Sequence, residues 1–275
     1  MFGDLKSFNF IKLLVIYFAA LPIFAFSTAT LSAQPKKKPK SVRIVKPQLN
    51  PLDAKLITAV KAKSVEEVKK LLAEGADPNA IDRDLGFRTP VLNVLLWQGN
   101  DDPEAKRQIA ITLINAGADV NGHGNKFYPP LLLADDVEVV KLLIKKGADV
   151  NYQSHLSGLT PLHNANPETI PLLIVAGAKL NELTDEGNTP LMLTISAISP
   201  PSEEDEDKDD AEPESEDDQK YKKEEAKKLE DSMTSIRMLL EAGADTTIKN
   251  KEGKTALMMA QELKLPKVIE LLQKN

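Results

Sequence analysis

The stretch Gly147-Ala148-Asp149-Val150-Asn151, followed by Thr160-Pro161-Leu162-His163-Asn164-Ala165, decides the fold of this chain. Gly147 comes after an apolar run, where glycine favours the left-handed position that ends a helix, and Asp149 favours the turn that follows. Thr160 suits the N-cap of the next helix, and Pro161 suits its first position. Together the two segments predict a helix end, an exposed turn and a new helix start. They are the most complete copy of this pattern in the chain.

The same signals recur along most of the sequence. Gly-Ala pairs begin at Gly75, Gly117, Gly147, Gly177 and Gly243, and the middle three glycines stand 30 residues apart. Self-similarity near this period indicates a solenoid, in which each helix pair buries its apolar face only against its neighbours. The sequence therefore predicts a stack of small helical units.

Several copies of the pattern resemble the ankyrin repeat. The segments TPLHNA at 160–165, GNTPLM at 187–192 and GKTALMMA at 253–260 are similar to the first-helix signature of that family. The segments KLLIKKGADVN at 141–151 and RMLLEAGADTT at 237–247 are similar to its second helix and turn. The resemblance covers most of the chain after residue 50, apart from one acidic insert.

This resemblance implies an all-α solenoid of helix-turn-helix units that carry β-hairpin fingers. It also implies that His163 makes a structural hydrogen bond to the neighbouring threonine loop. We expect about six repeats in an ankyrin-repeat domain at 51–275, with the first and last repeats as polar caps. The predicted boundaries are 51–79, 80–121, 122–151, 152–181, 182–247 and 248–275.

Residues 1–33 have the layout of a secretory signal peptide. Lys6 and Lys12 give a positive start, residues 13–26 form an apolar run, and residues 27–33 are small and neutral. The apolar run is short for a membrane span, which favours a cleaved signal. The layout therefore predicts a periplasmic or secreted protein.

The site of cleavage is expected after Ala33, with Ser27 and Ala29 as alternatives. An uncleaved N-terminal membrane anchor is the competing interpretation, because Leu13 to Gln34 holds no charge and basic residues follow, as they do on cytoplasmic flanks. Residues 34–50 carry six basic residues and no acid, and we predict an extended, proline-rich linker there.

Two of the predicted fingers are longer than the others. The finger at 79–89 has two additional residues and the finger at 151–160 has one. Apolar and aromatic side chains on exposed tips are candidate protein contacts, and packing against the neighbouring finger is the alternative for each of them. The candidate contact residues are Leu85, Phe87, Tyr152, His155 and Leu156.

The helix starts and the turns between helices also vary. Thr89-Pro90 and Thr189-Pro190 repeat the start predicted at Thr160, with threonine as the N-cap. The turn after Trp97 is lengthened, and Asp102 is expected to cap the helix that follows it. Pro171 is expected past the first turn of its helix, where proline would distort the helix.

A dense acidic tract interrupts the fifth repeat. Residues 203–218 hold twelve carboxylates and one lysine, a net charge of −11, so the rest of the chain sums to about +5. We predict a disordered acidic insert at 199–218 and an extended helix at 219–242. The modest positive remainder argues against a broad basic face for nucleic acid.

The chain carries few residues that could support catalysis. It has no cysteine, which excludes disulfides, thiolate metal sites and a cysteine nucleophile. His123 and His155 lie on predicted finger tips without a second metal ligand at a useful spacing. Since no catalytic motif or phosphate-binding loop is present, we predict no enzyme activity, cofactor, bound metal or small-molecule substrate.

The sequence therefore predicts a non-catalytic protein–protein interaction module of the cell envelope. It would bind an unidentified protein through the concave face and the finger tips. Two alternatives stay open: an exported effector or inhibitor that blocks a target protein, and a membrane-anchored cytoplasmic adaptor. Membrane contact is expected only if the N-terminal segment is uncleaved.

Overall fold

The computed structural model describes residues 50–83, 89–99, 101–123, 128–198 and 216–274. The predicted signal peptide, the basic linker before Asn50 and most of the acidic insert lie outside the described residues. The same holds for two of the candidate contacts, Leu85 and Phe87. Within the described ranges the chain forms six consecutive helix pairs, which we number as units one to six.

Each unit contains a first and a second helix that pack against each other. The first helices, in chain order, are α1 (Pro51–Lys61), α3 (Val91–Trp97), α5 (Pro130–Leu133), a 3-10 helix (Pro161–Asn164), α8 (Pro190–Ser196) and α10 (Ala256–Glu262). The second helices are α2 (Val65–Ala73), α4 (Pro103–Asn115), α6 (Val137–Lys145), α7 (Ile170–Val175), α9 (Glu216–Glu241) and α11 (Pro266–Lys274).

The helices form two layers, because first helices pack on first helices and second helices largely on second helices. A single apolar core runs through all six units. Its fully buried members are mostly aliphatic, such as Leu95, Leu143 and Leu191. No unit could bury these side chains alone, so the stack itself supplies the core.

The helix that precedes Gly147 ends as the sequence predicted. Gly147 has a φ of 87°, a left-handed conformation that glycine adopts without strain. The N–H of Gly147 donates to Ile144 O at 3.0 Å, and the N–H of Ala148 donates to Leu143 O at 3.0 Å. These bonds satisfy carbonyls that the end of α6 would otherwise leave free.

The helix starts agree with the sequence only in part. Asp102 caps α4 as predicted, because its side chain accepts from the N–H of Ala105 at 3.0 Å. The start predicted at Thr89 is wrong: α3 begins at Val91, and Pro90 is its N-cap. Thr89 and Pro90 are instead extended as strand β2 (Thr89–Pro90), which pairs antiparallel with β1 (Ile81–Asp82). Strand pairing requires extended backbone, so the helix starts one residue later.

The segment with the most complete copy of the sequence pattern forms a short first helix, although Thr160 is its N-cap as predicted. Residues 161–164 form a single 3-10 turn, and the chain leaves the helical region at Ala165 (ψ 144°). Asn166 stands before Pro167, and a residue before proline is disfavoured in helical conformation. The first helix of unit four therefore ends at Asn164.

The distortion expected at Pro171 does not occur. Helix α7 begins at Ile170, which places Pro171 in the first turn, where its missing N–H removes no helical bond. The preceding turn is fixed by Asn166, whose Oδ1 accepts from the N–H of Glu168 at 3.1 Å and of Thr169 at 2.9 Å.

Helix α9 begins at Glu216, three residues before the predicted start, and ends at Glu241. Residues 216–218 therefore belong to the helix and not to the insert, since carboxylates are favoured in a first turn by the helix dipole. Residues 223–231 are exposed, and the packed part of α9 starts at Met233. Among the residues described, no helix is both long and apolar enough to cross a membrane.

Candidate binding surface on the fingers

A repeated asparagine joins the bases of neighbouring fingers from unit two to unit six. Asn121 Nδ2 donates to the carbonyl of Gly147 at 3.1 Å, and its Oδ1 accepts from the N–H of Asp149 at 2.9 Å. Asn79 and Asn151 make the same two bonds to the units that follow them. We call Asn79, Asn121, Asn151 and Asn181 the asparagine ladder. It fixes the spacing of neighbouring fingers.

The asparagine ladder continues across the acidic insert. Asn181 Oδ1 accepts from the N–H of Asp245 at 2.9 Å, although 64 residues separate them. Asp245 also accepts from the N–H of Thr247 at 2.8 Å, as Asp149 does from Asn151 at 2.9 Å. The insert of unit five therefore leaves the register of the fingers unchanged.

The fingers of units three to six are also joined above their bases. The N–H of Asp185 donates to Ser157 O at 2.9 Å, and the N–H of Lys251 donates to Glu186 O at 3.0 Å. The buried hydroxyl of Tyr128 lies 3.3 Å from Ser157 Oγ. These contacts hold four consecutive fingers against one another.

Gly158 shows how closely two of these fingers approach. Its φ is 68°, and a Cβ at this position would lie 2.7 Å from Asp185 N and 2.8 Å from Thr184 Cα. No side chain fits at that distance from a backbone. Glycine is therefore required here both by conformation and by contact.

His163 belongs to the scaffold beneath the fingers. Its Nδ1 accepts from the N–H of Thr160 at 3.1 Å and lies 2.8 Å from Thr160 Oγ1. Its Nε2, which then carries the proton, lies 3.2 Å from Asn188 O in the next finger. Burial lowers the pKa of His163 from 6.5 to about 4, so the ring is neutral at pH 7. This is the kind of contact that the family resemblance implies.

Three of the five candidate contact residues lie in the described part of the chain, on the finger of unit four. The rings of Tyr152 and His155 meet edge to face with centroids 6.3 Å apart. Leu156 is 56% exposed, which is unusual for a leucine in this molecule. Partial burial raises the pKa of the Tyr152 phenol, so its hydroxyl stays neutral at pH 7.

Two further residues extend this surface to the neighbouring fingers. The His123 ring, in unit three, lies 5.4 Å from the Tyr152 ring, and Leu183, in unit five, is 40% exposed. Sequence reasoning did not select either residue as a contact. The signal that could have found them is their position, since each stands two residues after an asparagine of the ladder.

We name His123, Tyr152, His155, Leu156 and Leu183 the tip row. Its rings and leucines offer large apolar contact area with few rotatable bonds, on fingers whose backbones are already fixed. Among the described residues, no group of three or more His, Asp or Glu side chains is arranged to hold a metal ion. The tip row spans the fingers of units three, four and five.

The edge of the solenoid opposite the fingers, where each first helix turns into the second, is charged and irregular. We call this edge the turn end and the edge that carries the fingers the finger end. A cleft of about 340 Å³ lies there between units two and three. Arg107 Nε donates to Asp136 Oδ2 at 2.7 Å across it, and Lys106 Nζ lies 3.7 Å from Asp135 Oδ1. Burial lowers the pKa of Lys106, which the charge of Asp135 opposes. These ion pairs join the two units.

Comparison with known proteins agrees with this architecture. Residues 131–174 match the family model described as ankyrin repeats in many copies. The chain is 35% identical over 141 residues to the nuclear factor NF-kappa-B p105 subunit of Gallus gallus, a match that covers 48% of this chain. It spans only 14% of the length of that relative.

Two other matches span nearly the whole of the similar protein. The ankyrin repeat protein YahD of Escherichia coli (strain K12) is 25% identical over 232 residues, covering 80% of this chain and 95% of YahD. The crystal structure of EF0377, an ankyrin repeat protein, superposes with a TM-score of 0.59 at 18% identity. That superposition covers 80% of this chain and 97% of EF0377.

These likenesses carry a general functional meaning. Ankyrin repeats in general mediate protein–protein interaction, and the fold is typically a non-catalytic module. The predicted fold class is confirmed by the six helix pairs and by the structural match. The described part of the chain has the all-α fold of an ankyrin-repeat solenoid.

Proposed function

We propose that this chain is a non-catalytic protein-binding module of the cell envelope, which contacts its partner through the tip row. The observation that carries the proposal is the exposure of Leu156 and Leu183 on fingers that are hydrogen-bonded to each other. Exposed leucines beside aromatic rings lose unfavourable contact with water when a partner covers them.

The rigidity of the fingers supports the same proposal. A surface that is ordered before binding loses little conformational entropy on binding, so a modest number of contacts can be specific. The asparagine ladder and the bonds at Ser157 and Glu186 supply that order. Leu85 and Phe87 are proposed to extend the contact surface to the finger of unit two.

The location in the cell envelope rests on the sequence of residues 1–33. Their layout supports export, and cleavage after Ala33 would leave a mature chain that begins at Gln34. N-terminal sequencing of the protein from its native cells tests this part. Recovery of the uncleaved chain in the membrane fraction would instead support the alternative of a membrane-anchored cytoplasmic adaptor.

The experiment for the binding function is a quantitative pull-down from the envelope fraction. The full chain is compared with a variant that carries Tyr152→Ser, Leu156→Ser and Leu183→Ser. We expect the variant to lose the specific partner. A matched control carries Val175→Ser and Met258→Ser, since Val175 is 89% exposed and Met258 44% exposed but neither belongs to the tip row.

Equal recovery of the partner by the tip-row variant and the control would contradict the proposal. Once a partner is identified, its own activity with and without this chain separates two kinds of module. An active partner indicates a scaffold or protector. An inactive one indicates the inhibitor alternative.

A further inference from the structure

Gln153 lies inside the tip row without belonging to it. It stands two residues after Asn151, the position that His123 and Leu183 occupy in the neighbouring fingers. Its Nε2 donates to the carbonyl of Leu183 at 2.8 Å and to the carbonyl of Gly158 at 3.3 Å. One side-chain amide therefore joins the finger of unit four to the finger of unit five.

The contact has a particular place between the two exposed leucines. Leu156 lies on the same finger as Gln153, and Leu183 is the residue whose carbonyl accepts the bond. The bond from Asp185 to Ser157 fixes the backbones beside them, but it does not involve either leucine residue. The side-chain amide of Gln153, in contrast, bonds directly to the backbone carbonyl of Leu183.

We propose that Gln153 is a positioning residue, which holds Leu183 in a fixed place relative to Leu156 so that the partner meets one apolar surface. The inference rests on the proposed function of the tip row. Its basis is geometric: two acceptors on two fingers share one amide donor. Gln153 and Leu183 are both exposed, so water can replace the bond to the Leu183 carbonyl when the amide is lost, and the effect falls on position more than on stability.

The substitution Gln153→Glu tests this with the smallest change of shape. Glutamate has the same length but no N–H donor, and its carboxylate would face two carbonyl oxygens. Gln153→Lys restores a donor at the same position. Gln261→Glu, an exposed change on α10, is the matched control for the added charge.

The readout is a distance that does not need the partner. Since the chain has no cysteine, His155→Cys and Leu183→Cys can carry two spin labels without background, one on each finger. We expect a narrow distance distribution for the parent, for Gln153→Lys and for Gln261→Glu. Gln153→Glu should broaden it at least twofold, with the thermal midpoint unchanged within about 2 °C.

A second label pair separates position from general loosening. Labels at Lys145→Cys and Glu241→Cys, on α6 and α9, should keep one narrow distribution in every variant. An unchanged finger distribution in Gln153→Glu would overturn the inference. So would broadening of both pairs together, because that indicates a role in folding.

Binding to the partner from the envelope pull-down completes the test. Gln153→Glu should weaken affinity by about fivefold, and Gln153→Lys should restore it. If the tip-row leucines prove irrelevant to capture, the proposed function fails, whereas the label distances still report on Gln153. If capture depends on the leucines but not on Gln153, the positioning role fails alone.

Discussion

Neighbouring units are joined by different contacts at the finger end and at the turn end. At the finger end, the same neutral amide makes the same pair of backbone bonds at Asn79, Asn121 and Asn151. At the turn end each junction is different. Lys63 bonds to Gly99 O and pairs with Asp101, and the next junction uses Arg107 with its carboxylate partner. The junction after it uses a neutral amide, since Asn166 Nδ2 donates to Asp135 O at 2.8 Å.

The difference shows where this solenoid tolerates change. A turn that can lengthen, shorten or accept an insert needs contacts that adapt, and long charged side chains adapt well. The fingers cannot vary in spacing without breaking the asparagine ladder. A surface for recognition is therefore positioned more precisely at the finger end, while the turn end carries the lengthened turn after Trp97 and the acidic insert between α8 and α9.

The largest expected effect comes from forcing two fingers apart. Gly158→Ala should lower the free energy of unfolding by about 4 kcal/mol, because it combines a left-handed φ with a clash against the backbone of Asp185. Gly147→Ala is the matched control, since it has a similar φ and no atom within 4 Å, and should cost about 1 kcal/mol. Denaturant unfolding measures both, and equal losses would show that finger contact adds nothing.

The second effect is a dependence on pH that belongs to the finger end. The pKa of His163 is lower in the folded chain than in the unfolded chain, so the unfolded chain binds more protons between pH 4 and 6.5. The contribution of the neutral ring is complete above pH 6.5 and is lost as the pH falls, by roughly 3 kcal/mol in full. His163→Gln should remove this slope, and the exposed His155→Gln should keep it. Identical slopes in the two variants would assign the effect to other groups.

The third effect concerns one step of the asparagine ladder. Asn151→Ala removes two hydrogen bonds, at 3.0 Å and 2.9 Å, and should lower the free energy of unfolding by about 2 kcal/mol at any salt concentration. Asn115→Ala, an exposed residue at the end of α4, serves as the control and should change little. A loss in Asn151→Ala that vanished in high salt would contradict the neutral character of the finger end.

The smallest effect is expected at the turn end. Arg107→Gln removes the ion pairs with Asp136 and Glu104, which lie in contact with solvent. The loss of stability should be the least of the four and should disappear when salt is raised to 1 M, because exposed pairs are screened. Thermal midpoints at low and high salt measure it. A loss of stability that persists at 1 M salt would contradict the proposed difference between the turn end and the finger end.

The sequence predicted the period, the glycine helix ends and the fold class, because these signals are local and repeat. It failed where a neighbouring segment overrides a local preference. Pairing with Asp82 delays the helix after Thr89, and the propensity of Thr89 alone does not contain that effect. The short helix at 161–164 is a different case, because Pro167 is a local signal that disfavours helical conformation at Asn166.

Three of the five tip-row residues could be selected from the sequence. Tyr152, His155 and Leu156 stood out because their finger is long and their side chains are unusual for a tip. Leu183 lies in a finger of ordinary length, and its exposure depends on what packs beside it in three dimensions. The bond from Gln153 to its carbonyl likewise joins residues 30 positions apart, which no local pattern reports.

The most direct test measures one purified partner against both ends of the molecule. Its affinity is determined by calorimetry for the parent, for Leu156→Ser with Leu183→Ser, and for Arg107→Gln. The account predicts a loss of at least tenfold for the leucine pair and no change for Arg107→Gln. Unchanged affinity in the leucine pair, or a loss confined to Arg107→Gln, would contradict the assignment of binding to the finger end.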